Sequence, residues 1–306
     1  MRYTLRQLEV FLAVARHQSI SRAGEELAMS QSAASSALAD LERQFDVLLF
    51  DRVGKRLQLS ALGHSLRPRV QSLHEQALGL EQALANESEV GLLRVGATLT
   101  IGNYLVPPLL ARFMQQNPGA HVQLEVANTA EIARKVANFE IDVGLVEGEL
   151  LHPELEVSVW CDDELVVFCA PSHPLAGLPS LNDTHLRSAA WIVRERGSGT
   201  RQAFERALHG ILVHLNIALE LQHTEAIKSA VEQGIGLGCV SRIAVADAFR
   251  AGQLKACDVP KRDFRRQFYF VLHKQKHRSP GIQRWLALCQ QPQSRTPRRN
   301  GPAATQ

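Results

Sequence analysis

Gln31 carries a hydrogen-bond donor and an acceptor on one amide, the pair that can match an adenine edge in the major groove of DNA. Ser32, Ser35 and Ser36 follow at spacings that share a helical surface, and their hydroxyls can make single hydrogen bonds to bases or phosphates. None of the four is charged, so affinity must come from elsewhere. Arg22, and the trio Arg52, Lys55 and Arg56 around Gly54, suit phosphate or minor-groove contact. Each alone would be ordinary solvated charge, but grouping at one turn points to a basic edge. A second kind of chemistry is offered by RERGSGTRQAF, residues 194–204, where Gly197, Ser198, Gly199 and Thr200 open a helix directly after a strand. Exposed amides at such a turn favour an anion. The spacing is not that of a nucleotide-binding phosphate loop, which needs Gly, four residues and then Gly-Lys-Ser/Thr, and a plain capped turn would read the same way. A matching turn, Ala97-Thr98-Leu99-Thr100-Ile101-Gly102, stands earlier in the chain, so two hydroxyl-bearing turns could face each other across a cleft.

Positioning the first group takes two short helices meeting at a tight turn between Ser19 and Arg43. Ser19 or Ser21 can cap the first and Ser30 the second. Gly24, Leu27 and Ala28 fall on one face, and Ala34, Leu38 and Leu41 on one face of the next. Gly24, Ala28 and Ala34 are small enough for the close crossing of a helix-turn-helix whose second helix enters the major groove. A capping-box spacing at Thr4 and Gln7, with an apolar stripe of Leu5, Leu8, Phe11, Leu12 and Ala15, predicts a supporting helix. Helices near 4–17, 20–28 and 31–45, closed by Val47 to Phe50 and by short strands around 50–59 that turn at Gly54, make one small domain. From Ala61 to Ala85, the residues Leu66, Val70, Leu73, Ala77, Leu80 and Leu84 recur about every 3.5 residues, a seam that seeks a partner helix from a second copy. The alternative is one amphipathic helix lying on its own domain; Pro68 removes a hydrogen bond early in it. Asn86 to Gly91 reads as a hinge. Beyond it, strand-like runs (LLRVGAT, HVQLEVAN, DVGLVEG, ELVVFCAP, AAWIVRE, LELQ, GLGCV) alternate with helical ones near 103–116, 130–139, 200–214, 225–233 and 242–250, which predicts two α/β lobes with parallel sheets. QFYFVLHK and a helix near 280–289 come late enough to return to the first lobe.

At 306 residues and 45% hydrophobic, the chain can bury more than one core. A net charge of +3 does not by itself announce nucleic-acid binding, and residues 1–60 hold eight Arg or Lys against seven Asp or Glu, so any basic surface is local. Five scattered cysteines lack metal-ligand spacing and, being odd in number, fit a disulfide framework poorly; a reduced cytoplasm is the simplest setting. No basic-then-apolar leader and no apolar run near 20 residues is present, so neither secretion nor a membrane partner is expected. Catalysis has no footing: there is no G-x-S-x-G elbow to pair with Ser198, and His173, His209, His214, His223 and His273 are isolated.

Arg22-Ala23-Gly24, Leu27, Ser30-Gln31-Ser32-Ala33, Ser35 and Leu41-Glu42 together resemble the DNA-binding motif of LysR-type bacterial transcriptional regulators. LLFDRVGKRLQLSALG (48–63) looks like that family's wing and the entry to its linker helix, and DDELVVFCAPSHPL (162–175) and AIKSAVEQGIGLGCVSR (226–242) look like its effector-domain signatures. The RERGSGTR form is similar to the regulators of sulfur assimilation and carbon fixation. The resemblance implies an α/β fold class with a winged helix-turn-helix at 1–59, a dimerising linker helix at 60–89 and a two-lobed, periplasmic-binding-protein-like effector domain at 90–292. Lobe I would hold 90–161 and 267–292, lobe II 162–266, with hinge crossings near Cys161 and Arg266; 293–306 would be a disordered tail. It implies double-stranded operator DNA as partner, read by Arg22, Ser30, Gln31, Ser32, Ser35, Ser36, Arg52, Lys55 and Arg56, self-association to dimers and tetramers, and RNA polymerase as a further partner. No cofactor is implied. A small effector, an anion by the character of the turns, would lie between the lobes against Thr98, Thr100, Ile101, Gly102, Glu147, Arg196, Gly197, Ser198, Gly199, Thr200 and Arg201. The rival reading is a two-lobed solute-binding or sensor protein without a transcriptional role, which the helix-turn-helix argues against.

Overall fold

The computed structural model describes residues 2–53, 56–84 and 90–291. Helices α1 (Leu5–His17), α2 (Ile20–Glu26) and α3 (Gln31–Phe45) come first, then the antiparallel hairpin β1 (Phe50–Val53) and β2 (Arg56–Leu59) and the long helix α4 (Ala61–Leu84). The α/β part follows as β3 (Leu92–Ala97), α5 (Val106–Gln116), β4 (His121–Val126), α6 (Thr129–Ala137), β5 (Val143–Glu147), β6 (Leu155–Cys169), α7 (Asp183–Ser188), β7 (Ala190–Arg194), α8 (Gly199–Ala207), β8 (Asn216–Leu221), α9 (Thr224–Glu232), β9 (Leu237–Ser241), α10 (Arg242–Arg250), β10 (Lys255–Cys257), β11 (Arg265–His273) and α11 (Pro280–Gln290).

Local chemistry places the first helices. Thr4 and Gln7 form both halves of a capping box, Ser19 accepts from the Arg22 amide, and Ser30 accepts from the Ala33 amide. Phe11, Ala23, Ala34, Leu38 and Leu41 are buried in one core with Leu49 and Phe50. Gly24 is needed at the crossing: a Cβ there would stand 2.9 Å from the Met29 carbonyl oxygen. Ala28 does not join that face. Helix α2 stops at Glu26, and Ala28 sits exposed in the turn with φ +52°.

The seam on α4 divides. Leu66 and Val70 are half-buried against the winged-helix core of their own domain, whereas Leu73, Leu80 and Leu84 are 38%, 62% and 75% exposed. The first two residues assigned to pairing between copies are therefore shared with an intradomain contact. The hinge at Asn86 to Gly91 falls mostly outside the described residues, as do the turn at Gly54 and the tail 293–306.

The large sheet runs β4-β3-β5-β11-β6-β9-β7-β8, with β10 on β6. Strand β6 pairs antiparallel with β11 from Leu155 to Glu164, then with β9 and β10 from Leu165 to Cys169, so these two strands carry the chain between lobes. β11 returns beside β5, and α11 packs Trp285 edge-on to Phe113 of α5 in the lobe I core. Lobe II closes around Trp191, Phe204 and Leu237. The first half of β6, helix α7 and the three-residue β10 were not foreseen, and α8 ends at Ala207 rather than near 214.

Candidate functional site

On α3, Gln31, Ser32, Ser35 and Ser36 are all exposed, and Arg22 on α2 is exposed as well. Ser30 is exposed but committed, since its hydroxyl caps α3 and lies 2.9 Å from that of Ser32. Arg52 is exposed on β1; Lys55 and the Arg56 side chain lie outside the described residues. Glu42, which sequence reasoning used only as part of a motif, fixes the recognition helix to the wing: its Oε1 accepts from the Leu49 and Phe50 amides at 2.7 and 3.3 Å.

In the α/β part, the two glycine- and threonine-bearing turns do meet, but around a carboxylate of the chain itself. Glu147, at the end of β5, accepts on Oε1 from the Thr98 hydroxyl and the Thr100 amide, both at 2.9 Å. Its Oε2 accepts from the Thr200 hydroxyl at 2.6 Å and from Arg266 Nη1 at 2.8 Å. Arg266 Nε donates to Asp163 at 2.7 Å, and Asp163 accepts from the Ser241 hydroxyl at 2.7 Å. Lobe I, lobe II and both crossing strands thus converge on one buried network. Burial alone would raise the Glu147 pKa, but Arg266, then the Thr200 and Thr100 hydrogen bonds and the charge of Arg194, outweigh it and hold the carboxyl at about 2. Two carboxylates share one guanidinium here, so the network already holds more negative charge than positive.

This geometry changes the roles expected of several residues. Thr100 contributes its amide rather than a free hydroxyl contact, and the Gly102 amide is spent on the Thr98 carbonyl. Ile101 is wholly buried in the lobe I core. Ser198 caps α8, accepting from the Thr200 and Arg201 amides. Arg201 is buried and engaged with Glu205, Glu220 and the Arg194 carbonyl. Gly199 packs closely on lobe I: a Cβ there would fall 1.9 Å from the Glu147 carbonyl oxygen. Gly197, at φ +88°, lets its carbonyl accept from the Ala130 amide of lobe I at 3.3 Å. Across the other side, the Tyr104 hydroxyl donates to Glu225; burial first, and then this hydrogen bond and the carboxylate's charge, hold the tyrosine pKa well above its ordinary value.

Outside the network a cavity of about 460 Å³ opens between lobes, lined by Thr129, Ala130, Glu149 and Leu150 on one side and by Arg196 to Gly199 and Gln202 on the other. Arg196 is exposed and makes no hydrogen bond or ion pair among the described residues. Arg266 Nη2 is buried without a partner among them. Arg266 and Asp163 were missed as network members. The available signal was phase: Arg266 shares the inward face of β11 with Phe268 and Phe270, where a charged residue needs a reason. No helix among the described residues is long and apolar enough to cross a membrane.

Residues 5–64 match the family described as bacterial regulatory helix-turn-helix protein, lysR family, and residues 86–293 match the LysR substrate binding domain. The chain is 43% identical over 289 residues to the uncharacterized HTH-type transcriptional regulator YeiE of Escherichia coli K12, covering 94% of this chain and 98% of that one. It is 34% identical to the RuBisCO operon transcriptional regulator of Allochromatium vinosum (92% and 93% covered) and 32% identical to the HTH-type transcriptional regulator CysL of Bacillus subtilis (77% and 79%), in keeping with the resemblance to carbon-fixation and sulfur regulators. Among solved structures, the regulatory domain of Synechocystis PCC6803 CcmR in complex with 2-PG is 32% identical, covers 65% of this chain and 96% of that one, and superposes with a TM-score of 0.61. With both domain families matched in order and nearly the whole chain aligned to named regulators, the protein belongs to the LysR family of bacterial transcriptional regulators.

Proposed function

We propose that this regulator reads paired operator half-sites with α3 and the β1–β2 wing, and that its hold on DNA is set by a small anionic metabolite taken up between the two effector lobes. The observation that carries the effector reading is the interlobe cavity at Arg196 to Gly199, whose wall includes one exposed guanidinium, that of Arg196, with no hydrogen-bond or ion-pair partner among the described residues. The inner donors of Thr98, Thr100 and Thr200 are taken by Glu147, so the metabolite binds outside that network, in the cavity at Arg196, and closes the lobes from there. The solved complex of the CcmR regulatory domain with 2-PG supports a small ligand on the regulatory domain of a relative. A recognition helix with no charge on Gln31, Ser32, Ser35 or Ser36 binds weakly as one copy, which favours pairing through the exposed Leu73, Leu80 and Leu84 seam.

Calorimetry on the full-length protein tests this, with sulfate, sulfite, phosphate and small organic acids as titrants. One or more anions should bind, and Arg196→Ala should weaken that binding about 10- to 100-fold, the usual worth of a hydrogen-bonded charge. Binding confined to neutral compounds, or anion binding indifferent to Arg196, would remove the effector assignment and leave operator recognition standing.

A further inference from the structure

Lobe II contains a pair of thiols that neither DNA reading nor the interlobe site uses. Cys169 ends β6 and Cys257 ends β10, which pair antiparallel with Lys255 opposite Cys169 and Cys257 opposite Val167. The two cysteines are diagonal neighbours on one face of the sheet, and their sulfurs stand 3.5 Å apart. Cys161, Cys239 and Cys289 make no such contact with another sulfur among the described residues. The pair is also reachable. Cys169 is wholly buried, but Cys257 forms part of the wall of an open cavity of about 490 Å³ with Arg242, Lys261 and Arg262 nearby, and β10 is a three-residue strand bonded to the sheet through β6. An edge so short opens locally at little cost.

We propose that Cys169 and Cys257 are a reversible oxidation site, closing to an intrachain disulfide when a small hydroperoxide enters this cavity. The hydrogen bond from the Cys257 thiol and the ammonium of Lys255 favour a thiolate on Cys169 against the burial that opposes it, and local opening of β10 is what brings that sulfur to the cavity, so Cys169 is assigned the attacking role. Its thiolate attacks one peroxide oxygen, the O–O bond breaks, and the products are a Cys169 sulfenic acid and water or an alcohol. The Cys257 thiol then attacks the Cys169 sulfur, the S–O bond breaks, water leaves with the thiol proton, and the S–S bond forms. Two thiols have lost two electrons and the peroxide has gained them. The sulfurs need to approach by about 1.5 Å to reach bonding distance, within the give of an edge strand. A bond across this diagonal would fasten β10 to β6 just before the chain enters the crossing strand β11, where Leu165 donates to the Phe264 carbonyl at 3.0 Å.

The test treats reduced, full-length protein with hydrogen peroxide, blocks residual thiols, digests without reductant and maps the peptides by mass. The expected product is a Cys169–Cys257 cross-linked peptide pair, lighter by two hydrogens than the thiol peptides and restored by dithiothreitol. In Cys257→Ser the second step is blocked, so dimedone should trap a sulfenic acid on Cys169. If that variant does not fold, the cross-link map of the parent protein decides alone. Oxidation confined to Cys161, Cys239 or Cys289, or a cross-link that appears only after denaturation, would overturn the assignment.

Discussion

Replacing Glu147 by Gln keeps the side chain's size and removes its charge. In the parent protein the carboxylate is 1% exposed, accepts four hydrogen bonds and titrates at about 2, against an ordinary value of 4.5. Its folded-state pKa lies below the unfolded one, so the stability it contributes is fully present above pH 4.5 and is lost as pH falls towards 2. That difference corresponds to about 3 kcal/mol at neutral pH, of which a little under half remains at roughly pH 3. For an effector domain of this size it translates into a melting temperature about 6 to 12 °C lower for Glu147→Gln at pH 7. Circular dichroism melts of parent and variant at pH 7, 5 and 3 make the comparison. The gap should be full at pH 7 and 5 and should narrow clearly at pH 3. Equal melting at pH 7, or a gap that stays constant down to pH 3, would refute the reasoning that a buried, ionised carboxylate joins the lobes.

At the DNA end, Gln31→Ala should relax discrimination at one base position, while Arg52→Ala should weaken all sequences alike and reduce the slope of log affinity against log salt by about one; unchanged slopes in filter-binding titrations would contradict the phosphate contact. Along α4, Leu73→Asp or Leu80→Asp should split the pairing between copies and abolish operator binding, whereas Leu66→Asp should first unfold the winged helix that Leu66 packs against; light scattering alongside thermal melts separates the two. Gly199→Ala must move α8 away from Glu147, because the new methyl has no room beside the carbonyl oxygen; a loss of about 1–3 kcal/mol and faster amide exchange at Thr200 are expected, and amide exchange as slow as in the parent would show that the lobes never held that contact.

The helix-turn-helix was legible because its determinants are local. Ser19 and Ser30 cap neighbouring amides, Gly24 and Ala34 are small at the crossing, and the apolar residues of α1 keep helical phase. Ala28 misled for an equally local reason: it holds helical phase with Gly24, but the chain leaves the helix two residues before it, through a left-handed turn that alanine rarely adopts. The geometry of the candidate effector site was half legible. Both turns and Glu147 carry the right residue types, yet the partner of those donors depends on how two lobes close, and no spacing within either turn reveals that a carboxylate from β5 fills the space between them. Arg266 and Asp163 lie 103 residues apart, and only the pairing of β6 with β11 sets them side by side.

The same strand β11 links the network to the linker helix. At one end Arg266 holds Glu147 and Asp163; at the other, His273 stacks against Phe139 with ring centroids 4.1 Å apart, and Lys276, just beyond, pairs with Asp142 at 2.8 Å and with Glu75 of α4. Arg67 of α4 grips lobe I a second time, donating to the Asn138 carbonyl at 2.6 Å and lying over the Phe139 ring. Burial makes these contacts costly to break one at a time, since Lys276 would be left with Asp142 alone and Arg67 with a desolvated guanidinium whose pKa burial already lowers. Lobe I and α4 therefore move together, and closure of lobe II about the β6–β11 crossings must be taken up either in that crossing or, in the proposed pairing, in the angle between α4 and its partner copy. If the regulator reads paired half-sites as proposed, that angle is the quantity that sets the spacing of the two recognition helices.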